Sequence, residues 1–389
     1  MKYRLVGLLS LGHMFTDINQ GAVPALLPFL IFEHHLSYMA AAGIVFASNF
    51  ASTLVQPLFG HAADRFSKPW LLPLGVFLAG FGISLIGLFT SYELIIIAAI
   101  LSGIGVAAYH PEGARLVNFA SGEEKGMAMS LFGVGGTLGF AVGPIFATMA
   151  LIFFGLKGTL ILLVPASLIA IVMASQISNF SKFEKTANTH AEDTISKTLP
   201  DAWAPFTRLT FNVIGRSILF YSLNTFIPLY WISVLNQSKV SGATALTIMS
   251  ASGVIGNILG GKLADRFGHI KIMFIGFSVL IPLMPALIWV SNPHIAMFLL
   301  APIGMAIFAV YSPLIVMGQN YLPNHIGLSS GITIGAAVAI GGVAAPLLGK
   351  VADLYGIWSA LAGVAFLPIL FAGMTLTLPD RKDLPIRKE

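Results

Sequence analysis

The chain predicts an all-α membrane protein of twelve transmembrane helices, arranged as two six-helix, pseudo-symmetric halves. Three observations carry this expectation: an apolar composition, a succession of long hydrophobic stretches and an internal repeat. Of the 389 residues, 56% are hydrophobic and only 10% charged, and the mean hydropathy is +0.87, more than a soluble core of this length requires. The surface is therefore expected to face lipid. The segment Gly60-His61-Ala62-Ala63-Asp64-Arg65-Phe66 returns as Gly261-Lys262-Leu263-Ala264-Asp265-Arg266-Phe267, each copy closing one apolar run and preceding another. At a nearly constant offset Tyr109-His110-Pro111 answers Tyr311-Ser312-Pro313, Asn118 answers Asn320, and Gly143-Pro144 answers Ala345-Pro346.

Apolar stretches of roughly 20 residues, the length that crosses a ~30 Å hydrocarbon core, place the spans in order. In the first half, 1–177, they fall at 5–32, 38–61, 70–90, 93–117, 127–154 and 158–177. In the second half, 205–389, they fall at 205–234, 241–262, 271–291, 294–321, 328–350 and 357–378, followed by a short tail. Backbone groups in lipid must bond within their own segment, and no period-two alternation of a porin-like strand is present, so the spans are helices. Between the halves, residues 178–204 collect charged residues and His190 and are read as a linker. The other loops are short, leaving no room for a catalytic domain. Six spans per half related by an axis along the membrane normal is a plan of secondary transporters, which bind substrate between the halves and rock them.

Charge sets the orientation. With the amino terminus in the cytoplasm, cytoplasmic ends and loops hold all of the 21 lysines and arginines except Lys157, Lys239, Lys350 and Arg216. Both termini and the 178–204 linker are thus expected on the cytoplasmic side of a bacterial inner membrane. The net charge of +5 is accounted for by this bias and implies no nucleic-acid partner. Lys2 and Arg4 precede an apolar stretch long enough to span and interrupted by polar groups, so no cleavable signal peptide is expected. With no cysteine there is neither a disulfide framework nor a thiolate metal site.

Gly135, Gly139 and Gly143, and likewise Gly327, Gly331 and Gly335, stand four apart and present smooth strips for close helix approach, as packing or as a sliding contact. The Asp-Arg loops have two readings. An acid at a helix end, near the amides of the next helix and an arginine, can grip one conformation through charge-assisted hydrogen bonds. Alternatively the loop is a tight turn with positive-inside anchors. A third related turn, Gly349-Lys350-x-x-Asp353-x-x-Gly356, favours a gate lock.

At these residues a family resemblance enters. Gly60-x-x-Ala63-Asp64-Arg65-Phe66-x-Lys68, with its copy around Gly261, Asp265 and Arg266, resembles the loop signature of the major facilitator superfamily. Within it, Gly12-His13-Met14-Phe15-Thr16-Asp17-Ile18-Asn19-Gln20-Gly21 with Pro24 and Pro28, and Tyr109-His110-Pro111-Glu112-Gly113, are similar to the fosmidomycin-resistance type. The resemblance covers all twelve spans. It implies proton-driven export of small molecules, with a phosphonate antibiotic as the namesake cargo. Gly139-x-x-x-Gly143-Pro144 is similar to the antiporter signature of drug exporters, but Ala147-Thr148 stands where paired glycine is usual.

Ionisable groups inside the spans are few, and each costs at least ~2.5–3.5 kcal/mol at mid-membrane unless paired or hydrated. Of the 16 acids only Asp17 and Glu112 lie clearly within spans, accompanied by His13, His110, Arg115 and Arg216. His13 and Asp17 are four apart and share one helix face, widened by Asn19 and Gln20. Glu112 and Arg115 are three apart and can pair, whereas His110 points elsewhere. Because the first and fourth helices line the central cavity in the family it resembles, Asp17, His13 and Glu112 are the candidates for coupling protons. The alternative is that His13 and Asp17 merely satisfy one another as a buried pair.

Arg216 sits where the repeat sets Gly215-Arg216 against Gly12-His13, and its fork suits a phosphonate or carboxylate head group. Its alternative role is a salt bridge to Asp17 or Glu112. Tyr109, His110, Arg115, Asn19, Gln20, Tyr221, Asn224, Tyr311, Gln319 and Asn320 complete the expected cargo surface, with packing as the alternative for most of its members. Enzyme-like fragments are set aside. His110-Pro111-Glu112 lacks the cysteine ligands of a deaminase, Glu33-His34-His35 is read as a solvated helix end, and no Gly-x-x-x-x-Gly-Lys loop is present.

The expectation is thus a non-enzymatic, multi-pass transporter without cofactor or metal, working as a monomer with protons, a small-molecule cargo and the lipid bilayer as partners. Export of a small organic compound by proton antiport and alternating access is favoured. A proton symporter importing an organic anion, and a non-transporting sensor or assembly factor, are the alternatives.

Overall fold

The structure, a computed structural model, describes residues 2–65, 69–120, 125–180, 200–322, 328–329, 332–333 and 337–380. Among them are fourteen α-helices and no strand, and the helices make twelve crossings. The first six are α1 (Tyr3–His34), α2 (Tyr38–Arg65), α3 (Leu71–Ile86), α4 (Tyr92–Ala120), α5 (Lys125–Phe154) and α6 (Leu160–Ser175). The second six comprise α7 (Trp203–Ser233), α8 (Lys239–Phe267), α9 (His269–Trp289), α10 (Pro293–Ala309) with α11 (Tyr311–Tyr321), α12 (Ala337–Tyr355), and α13 (Ile357–Ala365) with α14 (Leu367–Thr375). Eight helical stretches are long and apolar enough to cross a membrane by themselves. One of these, Leu131–Ser175, is long enough for two passes and turns at the 3-10 segment Gly155–Thr159.

Two expected single helices are broken, each beside a proline. The crossing 294–321 divides at Val310, three residues before Pro313, and 357–378 divides at Phe366, two before Pro368. A proline removes one i to i−4 bond and its ring crowds the carbonyl of i−4, here Ala309 and Val364, so the break falls just ahead of the ring. Other ends follow side-chain caps. Ser238 Oγ accepts from Ser241 N at 3.1 Å at the start of α8, and Asn292 Oδ1 accepts from His294 N and Ile295 N ahead of Pro293 at the start of α10.

The chain divides into two compact units, Met1–Leu36 with Gly43–Ile195, and Ser37–Ala42 with Ser196–Glu389. In the first unit α1 lies against α5, and the strip predicted from Gly135, Gly139 and Gly143 makes that approach possible. Methyl groups built on these three would run into the backbone carbonyls of Ser10, Met14 and Ile18, one per turn of α1. Val6, Leu9, Leu72, Val76, Tyr109, Leu116, Phe132 and Met173 form the core beside this contact. In the second unit α8 packs on α10 the same way, Gly256 and Gly260 meeting the carbonyls of Met305 and Ala309. Large apolar side chains such as Phe153, Ile171, Phe298 and Leu347 remain outward, the surface a lipid-solvated protein requires. Most of the 178–204 linker and the whole Gly327, Gly331 and Gly335 series lie outside the described residues.

Candidate functional site

Helix periodicity puts His13 and Asp17 on one face of α1, and α4 brings a third group to them. His13 Nε2 lies 3.2 Å from Asp17 Oδ2, and His110 Nε2 lies 3.0 Å from Asp17 Oδ1. His13 Nδ1 stands 2.7 Å from the Phe132 carbonyl on α5. A carbonyl only accepts, so His13 carries its hydrogen on Nδ1 and donates it there. The Nε2 lone pair of a neutral His13 then faces a carboxylate oxygen, and two acceptors at 3.2 Å need a cation between them.

The surroundings hold this arrangement rigidly. The His13 ring stacks on Phe132 at 4.1 Å between centroids and on Tyr109 at 6.2 Å. Tyr109 is fully buried, and its hydroxyl donates to the Leu9 carbonyl. Expected on the cargo surface, Tyr109 instead supports the ring of His13. Access is retained at His110, whose side chain is 21% exposed against 6% for Asp17.

Glu112 lies apart from this cluster. It is fully buried, and its two oxygens accept from Arg115 Nη2 at 2.8 Å and Arg115 Nε at 3.1 Å, so its charge is matched within α4. Asn19 and Gln20 also turn to other partners. Asn19 Nδ2 donates to the Phe15 carbonyl, its Oδ1 is buried without a partner, and Gln20 Nε2 donates to Asn49 Oδ1 at 2.6 Å.

In the second unit Arg216, on α7, is 7% exposed and has no carboxylate partner among the described residues of that unit. Its Nε donates to the Ile307 carbonyl at 3.0 Å, and its guanidinium carbon lies 4.4, 5.6 and 5.8 Å from the ring centroids of Tyr311, Phe308 and Phe220. One edge of the fork is thereby fixed and the ring faces hold its plane. Tyr221 and Asn224 are buried on the same helix, Gln319 is half-buried and Asn320 exposed.

The repeated loops differ in what is described. Helix α2 runs to Arg65, but the surroundings of Gly60 and the side chains of Asp64 and Arg65 lie outside what is described. In the second copy, beside Gly261, the Asp265 side chain is 81% exposed and meets His269 at 3.7 Å, while Arg266 lies over Phe267 at 5.2 Å. The third turn makes the tighter contact. Asp353 Oδ1 and Oδ2 accept from Tyr38 N at 2.7 Å and Met39 N at 3.0 Å, placing a carboxylate on the first-turn amides of α2 within the second unit. Gly349 permits this, since a methyl there would lie 2.7 Å from the Met39 Cα.

Sequence reasoning missed two members of the first cluster's frame. The orienting group at Phe132 is a backbone carbonyl, which no residue type announces, and the space beside the cluster comes from Gly136. A methyl on Gly136 would lie 2.5 Å from His13 Nε2 and 2.7 Å from Asp17 Oδ2.

Twelve apolar crossings in two units, with a buried ionisable cluster in one and a buried arginine in the other, define a multi-pass membrane transporter rather than an enzyme. The chain belongs to the Major Facilitator Superfamily, whose family model matches residues 9–334. It is 30% identical over 383 residues to the fosmidomycin resistance protein of Escherichia coli K12, covering 98% of this chain and 94% of that one. It is 28% identical, with the same coverages, to the MFS-type transporter YfnC of Bacillus subtilis 168. The fold is shared with a bacterial homolog of the human lysosomal transporter Spinster in an inward-facing, occupied conformation, at TM-score 0.79, 15% identity and 97% and 96% coverage. It is shared also with the nucleoside transporter NupG, at TM-score 0.74, 12% identity and 97% and 100% coverage.

Proposed function

We propose that this transporter is a proton antiporter that exports a small organic anion across the bacterial inner membrane by alternating access. The observation that carries the reading is the pair of facing acceptors, His13 Nε2 and Asp17 Oδ2, 3.2 Å apart and locked by the Phe132 carbonyl. That pair stores one proton when the cluster is closed and releases it when water reaches it through His110. Asp17 is the acceptor, His13 and His110 share its charge, and Glu112, already matched by Arg115, has a structural part. Arg216 presents the free edge of its fork to an anionic head group. The likeness to the fosmidomycin resistance protein supports a phosphonate as first cargo to test.

In this reading both termini and the linker 178–204 are cytoplasmic, the halves are 1–177 and 205–389, and the monomer is the working unit. Asp64 with Arg65 and Asp265 with Arg266 steady the inner ends of the helices, and Gly139, Gly143 and Pro144 let α1 and α5 shift as one body. The test is flux in proteoliposomes loaded with fosmidomycin under an imposed pH gradient. Antiport drives the cargo against the proton flow; movement with the proton would establish the symport alternative instead.

A further inference from the structure

We infer that His13, Asp17 and His110 also form a binding site for a divalent transition-metal ion of the zinc class. Two imidazole nitrogens and one carboxylate oxygen, from α1 and α4, lie within 4.8 Å of one another. Two histidines and one acid form a ligand set for zinc, nickel and cobalt, whereas magnesium and calcium demand oxygen-rich shells. The absence of cysteine excludes a thiolate site and leaves an imidazole–carboxylate one open.

Four features of the cluster go beyond composition. A tetrahedral ion with bonds of about 2.0–2.1 Å separates its ligand atoms by roughly 3.3 Å; the two nitrogen–oxygen separations, 3.2 Å to Oδ2 and 3.0 Å to Oδ1, are close to this, and the widest separation in the set, up to 4.8 Å, closes as the side chains draw in around the ion. His13 donates its other ring hydrogen to the Phe132 carbonyl at 2.7 Å, the outer-shell bond that fixes which nitrogen a metal-bound histidine offers. Gly136 leaves open the side of the cluster that a methyl would fill. Finally, the partly exposed edge at His110 leaves a position for water as a further ligand. Two neutral imidazoles and a carboxylate carry one negative charge, and an ion between His13 Nε2 and Asp17 Oδ2 resolves the facing acceptors as a proton does. Metal and proton therefore exclude one another at the same atoms.

The inference shares side chains with the proton reading but does not rest on it, because binding is measured on the purified chain without any transport. Full-length protein free of a polyhistidine tag, in detergent, is titrated with Co2+, read by its visible ligand-field absorption, and then with Zn2+. We expect one saturable Co2+ site per chain, displaced by Zn2+ and insensitive to Mg2+. Removing an outer-shell partner of a metal costs about 10–100-fold in affinity; His13→Gln and His110→Gln, which remove ligands, should cost at least as much. Gly136→Ala should block binding with all three ligands retained. His34→Ala with His35→Ala, at the far end of α1, should leave it unchanged. His110→Gln is the firmest variant, because His110 is the most exposed of the three, and its fold is checked by thermal unfolding without metal. No saturable uptake by the parent protein, or uptake that survives His110→Gln at normal folding, overturns the inference, as does loss of binding in the His34 and His35 variant alone.

Discussion

Replacing Asp17 with asparagine separates the chemistry of the cluster from its architecture. In the parent, Oδ2 faces His13 Nε2 at 3.2 Å and Oδ1 faces His110 Nε2 at 3.0 Å. His13 is bound to donate from Nδ1 to Phe132, so its Nε2 accepts whenever the ring is neutral. An amide fits that frame: its NH2 donates to His13 Nε2 and its oxygen accepts from His110 Nε2–H. Both contacts survive as neutral hydrogen bonds. A hydrogen bond to a charged group is worth about 1.5–3 kcal/mol net and a neutral one about 0.5–1.5, so exchanging two bonds costs roughly 2–3 kcal/mol. No buried charge is stranded, because the proton between His13 and the acid is removed together with the negative charge. Asp17→Asn should therefore fold, with a modest fall in thermal stability in detergent. The same variant cannot store a proton at that position. In proteoliposomes it should lose uphill, pH-driven cargo movement and retain counterflow exchange at equal pH. Undiminished uphill transport, with proton movement measured alongside, would remove Asp17 from the mechanism and transfer the role to Glu112.

The other expectations concern separate parts of the molecule. Arg216→Lys keeps the charge but loses the fork and the Nε bond to Ile307; exchange of an anionic cargo should weaken about ten- to hundredfold, the equivalent of one charge-assisted bond, while thermal unfolding moves little. Equal cargo binding in the variant would return Arg216 to a packing role. Asp353→Ala removes two acceptors from the first turn of α2 and should lower stability by about 0.5–2 kcal/mol, with Asp353→Asn in between; no shift in unfolding temperature for either would show that the cap carries no energy. Gly139→Val drives side-chain atoms into the Met14 carbonyl and to within 2.8 Å of the Asp17 Cβ, so overpacking of about 1–3 kcal/mol or more should cut the yield of folded protein. Gly133→Ala, which meets nothing within 4 Å, is the control that should be silent.

What could be read from the sequence, and what could not, divides along the range of the interaction. Crossings are set by local hydrophobic length, and so each expected span coincides with a helix within a few residues wherever the chain is described. The breaks at Val310 and Phe366 were equally local, since Pro313 and Pro368 stand beside them, but helical prolines such as Pro24 and Pro28 in α1 leave their helix whole, and only packing decides which outcome a proline has. The pairing of His13 with Asp17, and of Glu112 with Arg115, followed from three- and four-residue spacing alone.

Contacts between helices had no such rule. His110 could be turned away from Glu112 by periodicity, yet the partner it turns toward depends on how α4 lies against α1, and that is set by close packing between whole helix faces. The same holds for Asp353, whose turn was legible but whose partners, the amides of Tyr38 and Met39, lie far away in sequence. Most consequential is Phe132, because its contribution is a carbonyl oxygen common to every residue. That oxygen turns an ordinary buried His–Asp pair into one with a fixed hydrogen and a single vacancy for a cation. Had His13 Nδ1 faced solvent, the ring could carry its hydrogen on Nε2 and donate it to Asp17, and the pair would be satisfied without a cation. The chemistry of the site thus rests on the register of α5 against α1, which Gly135, Gly139 and Gly143 set through the closeness of their approach. The glycine strip and the His13–Asp17 cluster are one structural feature, so substitutions along the strip are expected to disturb the geometry of the cluster even where the protein still folds.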